Sequence, residues 1–248
     1  MSVGQPTASR IPPFSLNLDE AVRSIFRDPD WPKKLAIGAL FSFLSLIVIG
    51  GIVVQGYLLT FGERVARAEA RPLPEWDDFG ELLRKGLFGF IVSLVYSIPI
   101  LVVGMLLGLL FIPLILAASG PTANSGAMSG VFVLAYCGGI ALILPLALVV
   151  GVVVPAAHAQ LILHSHDLGS AFRLGEVWGF LRRHRGQYAL MTILVLAANY
   201  GLVQVGQCAC YVGVFVTLFI AQLFQYHLLG QLCWYERFAF DQRATVPE

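Results

Sequence analysis

Two stretches of the chain, Gly86 to Ala118 and Val131 to Leu163, contain no Lys, Arg, Asp or Glu. An uncharged apolar run longer than about 18 residues marks a helix that crosses a bilayer, because a hydrocarbon core of roughly 30 Å at 1.5 Å per residue takes about 20 residues. A loop of Gly, Ser, Thr, Asn and Pro joins the two runs, so they form a membrane hairpin. With 57% of residues hydrophobic and 12% charged, the whole chain lies far below the roughly 25% charge of a soluble domain. The expected fold is all-α, a polytopic integral membrane helical bundle of four to six membrane segments with interfacial amphipathic helices, in one domain over 18–237.

The flanking segments follow. Residues 1–17 are polar and Pro-rich, without the apolar stretch of a secretory signal, and are expected to be a disordered tail, while 238–248 are expected to form a C-terminal tail. Membrane segments are expected at about 35–61, 87–118, 131–163, 188–206 and 210–235. Three amphipathic stretches precede membrane segments, at about 18–27, 75–85 and 168–185. In the first, Leu18, Val22, Ile25 and Phe26 recur at helical spacing. In the second, Trp76, Phe79, Leu82 and Leu83 share a face, and Arg84, Lys85 and Gly86 close it. In the third, Leu174, Val177, Trp178 and Leu181 are followed by Arg182, Arg183, His184, Arg185 and Gly186. Each reads as an interfacial helix with a basic end. Their recurrence suggests an internal repeat of interfacial helix plus hairpin.

The run Leu35 to Phe61 allows two arrangements. It is long enough for one tilted span, but Lys33 and Lys34 precede it while Arg64, Arg67 and Arg71 follow. A single span would carry one basic cluster across the membrane, against the tendency of Lys and Arg to stay in cytoplasmic segments. A re-entrant hairpin broken at Gly50-Gly51 keeps both clusters inside, provided neighbouring helices bury its irregular backbone. All 16 Lys and Arg lie before residue 35, in 62–86, in 165–187 or after 235. The charged segments are therefore expected to be cytoplasmic, in a prokaryotic cytoplasmic membrane.

The stretch Asp28-Pro29-Asp30-Trp31-Pro32-Lys33-Lys34, the pair Gly56-Tyr57, the run Leu73-Pro74-Glu75-Trp76-Asp77-Asp78-Phe79, then Gly86-Leu87 and Tyr96 with Pro99, resemble the pattern of a prokaryotic integral membrane family that bears a domain of unknown function, DUF4013. The likeness runs over roughly the first 100 residues. It implies the membrane class and carries no catalytic or binding role to any position.

Candidate sites come from the residues alone. Lys33, Lys34, Arg84, Lys85, Arg182, Arg183 and Arg185 are expected to meet anionic lipid headgroups, and Trp31, Trp76 and Trp178 to anchor helices at the interface. Asn199, Gln204, Gln222, Gln225, His227 and Gln231 form a polar intramembrane face that either glues helices together or lines a path. Metal-capable groups are sparse: His158, the run His164-Ser165-His166-Asp167, and Cys137, Cys208, Cys210 and Cys233. Two of the run's ligands fall in a loop, and a C-x-C pair is no C-x-x-C motif. His158 and His227 could pair as haem ligands, but histidines on helices are not diagnostic of haem. No metal, cofactor or nucleic acid is expected.

No P-loop, G-x-S-x-G, H-E-x-x-H or post-strand G-x-G-x-x-G is present, and no enzyme is expected. Gly104 and Gly108 form a G-x-x-x-G that permits close helix contact, within the monomer, in a homo-oligomer or in a larger membrane complex. The favoured reading is a non-enzymatic membrane protein that shapes or scaffolds the bilayer, or serves as an accessory subunit, through its cytoplasmic amphipathic helices. The alternative is a permease or channel for an uncharged or lipid-like solute along a Gln-lined path.

Overall fold

The computed structural model describes residues 16–118, 125–164, 167–208 and 212–244. Among them are nine α-helices and one 3₁₀ turn, and no strand: α1 (Leu18–Phe26), α2 (Trp31–Phe43), the turn Leu44–Leu46, α3 (Val48–Ala66), α4 (Phe79–Ala118), α5 (Ser125–Leu163), α6 (Leu168–Phe172), α7 (Leu174–Arg183), α8 (Arg185–Cys208) and α9 (Val212–Ala244). Four of these, α4, α5, α8 and α9, are long and apolar enough to cross a membrane. The protein is a helical membrane bundle.

Its interior is not where the most apolar sequence lies. None of the most apolar stretch of α4 is buried, and only 17% of that of α5, against 44% for α9. Leu101, Met105 and Leu109 of α4 and Leu134 and Val149 of α5 are all exposed. Such surfaces suit lipid, which is as apolar as they are. The centre is α3, in which Val53, Val54, Gly56, Tyr57, Leu58, Leu59, Phe61 and Gly62 are buried and which packs on α2, α4, α5 and α9.

Glycine makes that packing possible. At the crossing of α3 and α4, Gly56 faces the Leu82 carbonyl and Gly86 faces that of Ile52; a Cβ on either would collide with backbone, which cannot give way. Where α3 meets α9, a Cβ on Gly230 would stand 2.7 Å from the Gly62 carbonyl oxygen. Three helices thus approach at backbone contact, gaining dispersion contacts that larger residues would forfeit.

The chain from Leu35 to Phe61 is two helices with a break. The break falls at Leu44–Ile47, where Ile47 N–H bonds the Leu44 carbonyl and Gly50 N–H that of Ile47, and not at Gly50-Gly51, which lie inside α3. Both outer ends return to one place: Lys34 Nζ of α2 and a guanidinium nitrogen of Arg64 of α3 donate to the same Leu73 carbonyl, at 3.3 and 3.4 Å. The segment is a helical hairpin with a tip of Leu46, Ile47, Val48 and Ile49, all exposed.

Other boundaries differ from those expected. No separate helix covers 75–85; residues 79–85 are the first turns of α4, and Leu73 to Trp76 run irregularly across the open end of the hairpin. The stretch 168–185 is two helices broken at Arg173, and α8 starts at Arg185, directly after α7. Helix α9 continues to Ala244, through most of the expected C-terminal tail. Trp76 is buried while Trp178 is exposed, so the repeat's second and third copies are not equivalent. Gly104 has open space beside it, and only Ile112 of its own helix approaches Gly108. Among the described residues no other helix packs against the Cβ positions of this G-x-x-x-G.

Two substitutions test this packing by thermal unfolding in detergent. Gly86→Leu should destabilise the bundle by about 3 kcal/mol or prevent its assembly, since overpacking here meets backbone. Ala68, which follows α3 with φ 55°, holds a left-handed conformation that costs a residue with a Cβ about 1 kcal/mol, so Ala68→Gly should raise stability by that amount.

Candidate functional site

Polar groups gather in three buried clusters and one cavity. Deepest is a chain joining α3, α4, α5 and α9. The Gln55 amide donates to Tyr226 Oη at 2.6 Å, the Tyr226 hydroxyl lies 2.8 Å from His158 Nδ1, and His158 Nε2 lies 3.2 Å from the Gly89 carbonyl and 3.2 Å from Ser93 Oγ. A proton placed on Nε2 satisfies every member in sequence. Both ring nitrogens of His158 are therefore used within the protein. His227, its suggested haem partner, is bonded to Ser24 instead.

A second cluster closes the α2–α3 hairpin. Lys34, 3% exposed, pairs with Asp28 at 2.8 Å and Glu75 at 2.6 Å. The Trp76 indole donates to the Lys34 carbonyl at 3.2 Å, and its ring is stacked between Phe41 and Tyr57, with centroids 5.3 and 4.1 Å away. The Tyr57 hydroxyl donates to the Pro74 carbonyl. Burial opposes the charged forms of Asp28 and Lys34. The bond from Lys34 and that from the Asp30 amide outweigh it for Asp28, whose carboxyl titrates below its ordinary value; the bonds to Asp28 and Glu75 outweigh it for Lys34, which titrates above its own.

In the third cluster Glu63, 5% exposed, binds Arg67 and, at 3.0 Å, Lys85, which also holds Glu81 at 2.8 Å. Nearby, His184 Nε2 and Arg183 share the two carboxylate oxygens of Glu236 at 2.6 and 2.7 Å.

These clusters correct the residue assignments made from sequence. Lys34 and Lys85 are buried and ion-paired, so neither is open to a headgroup. Lys33, Arg84, Arg182, Arg183 and Arg185 are exposed. Trp76 is a core residue and no interface anchor. Trp178 is exposed, with the Arg182 guanidinium 5.4 Å above its ring, and Trp31 is half-buried against Phe26. The polar face is not one face: the Asn199 amide bonds the Val195 carbonyl of its own helix, Gln204 is exposed, Gln222 and Gln225 are half-buried, and Gln231 bonds both the N–H and C=O of Asn17 at 2.9 Å. His164 bonds the Gln160 carbonyl and Asp167 caps α6. His166 and Cys210 lie outside the described residues.

The cavity, about 600 Å³, lies at the charged end between α1, residues 68–72 and the last turns of α9. Its floor is formed by Ser24 and His227 and its wall by Trp234 and Phe238, which stack with centroids 5.4 Å apart. Sequence reading placed His227 and Gln231 on the polar face and joined neither to α1 or to residues 68–72, which lie more than 150 residues earlier in the chain.

Residues 40–224 match a family described as a protein of unknown function, DUF4013. The chain belongs to that family. The match reaches far beyond the first 100 residues that carry the visible motif, and it begins after Asp28 to Lys34. It includes the glycine crossing and the Gln55–His158 pair but ends two residues before Tyr226 and three before His227. No curated protein and no solved structure matches the chain.

The hairpin closure has a pH signature. Asp28 bears its charge in the folded protein above a pKa lower than the ordinary 3.8, and Lys34 below one higher than 10.5. The pair's contribution is complete between about pH 5 and 9, is lost in acid as Asp28 protonates and in base as Lys34 deprotonates. Asp28→Asn should cost about 3 kcal/mol at pH 7. Its deficit against the wild type, followed by thermal unfolding, should stay constant across that window and shrink below about pH 4.

Proposed function

We propose that the protein is a non-enzymatic bilayer-shaping or scaffolding protein of a prokaryotic cytoplasmic membrane, with its charged end cytoplasmic. The observation that carries this reading is the α2–α3 hairpin, whose ends are tied together at Leu73 while its tip presents Leu46, Ile47, Val48 and Ile49. A tip facing water would be expected to be polar; this one suits hydrocarbon. A hairpin that enters and leaves on the same side adds volume to one leaflet and little to the other.

Amphipathic surface helices act in the same sense. On α1, Leu18, Val22 and Phe26 form an exposed ridge alongside the packed Ala21 and Ile25, and on α7 Leu174 and Trp178 are exposed while Val177 and Phe180 are packed. Such ridges lie in the acyl boundary, with their charged flanks among headgroups. Lys33, Arg84, Arg182, Arg183 and Arg185 then contribute about 1 kcal/mol each against an anionic surface. Asn199, His227 and Gln231 bond separate partners and Gln204 is exposed, which weighs against a single Gln-lined permease path.

Two measurements test this. Single cysteines at Ser2 and Glu69, in a background without native cysteine, should both be protected from an impermeant reagent in intact cells while one at Gln207 labels; opposite behaviour of Ser2 and Glu69 would make the first segment a plain span. Reconstituted protein should reduce the diameter of anionic vesicles, and Ile47→Asp with Val48→Asp should abolish that effect while the helical content is kept. Vesicles of unchanged size with the wild type would remove the wedge.

A further inference from the structure

We propose that the cavity at the charged end is a headgroup site for a zwitterionic phospholipid bearing a primary ammonium. The argument starts at His227, which is 3% exposed. Ser24 Oγ donates its single hydrogen to the Ala21 carbonyl at 3.2 Å, and His227 Nδ1 lies 2.9 Å from the same oxygen. The hydroxyl therefore accepts from Nδ1–H, which leaves Nε2 as a bare acceptor. No hydrogen bond of the described residues reaches Nε2, and the ring lines the cavity. Nε2 meets the cavity without a protein partner, and a donor held there would satisfy it.

The charges select the donor. Glu20 and Glu69 line the cavity against one cation, Arg27. Glu20 holds Arg27 at 2.7 Å, and Glu69 is approached by Arg64 and Arg67 only at 3.8 and 4.0 Å, so carboxylate lone pairs remain. Among the lining residues themselves a bare anion meets two carboxylates and one guanidinium, which Glu20 already holds. An ammonium meets carboxylates, the Nε2 lone pair and the faces of Trp234 and Phe238, which attract cations. Arg27 supplies the complementary contact for the phosphate one ethanolamine link away. The apolar lining of Val65, Pro72 and Phe238 gives the start of the acyl chains a surface to follow. The proposal uses the membrane reading only to set the cavity at headgroup level and is independent of any bending of the bilayer.

Binding is measured by native mass spectrometry of the full chain in detergent, with short-chain phosphatidylethanolamine, phosphatidylcholine and phosphatidylglycerol as probes. Phosphatidylethanolamine should bind about tenfold more tightly than phosphatidylcholine, whose methyl groups keep the charge and remove the N–H donors. His227→Phe should erase that preference with an unchanged melting temperature. If His227→Phe does not fold, Glu69→Gln decides, since it should weaken phosphatidylethanolamine and leave phosphatidylcholine unaltered. Equal affinities for the two lipids, or a preference that survives in a folded variant, overturns the site. Competition by soluble phosphoethanolamine supports recognition of the head; phosphoethanolamine bound where no phospholipid binds overturns the lipid as the ligand. A retained preference in protein that leaves vesicle diameter unchanged would sink the bilayer-shaping reading alone.

Discussion

Helix α3 carries Gln55, Glu63 and a series of glycines into the middle of a protein whose outer helices are nearly free of polar groups. In hydrocarbon each such group has to be paired by protein, because no water is there to pair it. The neighbours of α3 are arranged accordingly. Helix α4 approaches to backbone contact at Gly56 and Gly86 and brings Lys85 to Glu63. Helices α5 and α9 bring His158 and Tyr226 to Gln55. Helix α2 folds back and is held by Lys34. Every one of these contacts places a polar or small residue against α3, among buried apolar side chains such as Leu59 and Phe61. The inversion relative to a soluble domain lies at the surface, which is as greasy as the core.

That inversion explains what was legible in the sequence. Charge-free runs announce themselves, and the helices at 79–118 and 125–163 stand where such runs are. Their identity as membrane helices needed no tertiary knowledge, because a bilayer acts on each helix separately. The amphipathic stretch at 18–27 was equally readable, since its period is local. Lys34, Lys85 and Trp76 were misread for one common reason. A Lys or Trp next to an apolar run has two destinations, the interface or a buried partner, and local pattern cannot separate them. For Lys34 a signal existed in Asp28, six residues earlier across a Pro-containing turn. For Trp76 there was none, since its stacking on Phe41 and Tyr57 depends on how residues 73–76 cross the hairpin.

The buried hydrogen-bond chain was harder still. Gln55, Ser93, His158 and Tyr226 belong to four helices, and each looks like an isolated polar residue in its own run. Only the crossing of α3 over α4 and α9 assembles them. The same holds for the cavity, whose Ser24 and His227 are separated by 203 residues. Family membership, which extends from residue 40 to 224, covers the first assembly for the most part and leaves the cavity's α1 and α9 walls outside.

The contact of α3 with α9 joins the first third of the chain to its last helix, and this bears on how the protein is made. A ribosome delivers α3 long before α9, yet α3 on its own exposes Gln55 and a row of glycines that lipid cannot satisfy. About 150 residues separate the end of α3 from the start of α9, and until α9 is made Gln55 lacks its Tyr226 partner. Assembly of the interior is therefore completed only by the last helix, and chains stalled or clipped before residue 212 would reach the quality-control proteases with Gln55 and the glycine face of α3 uncovered.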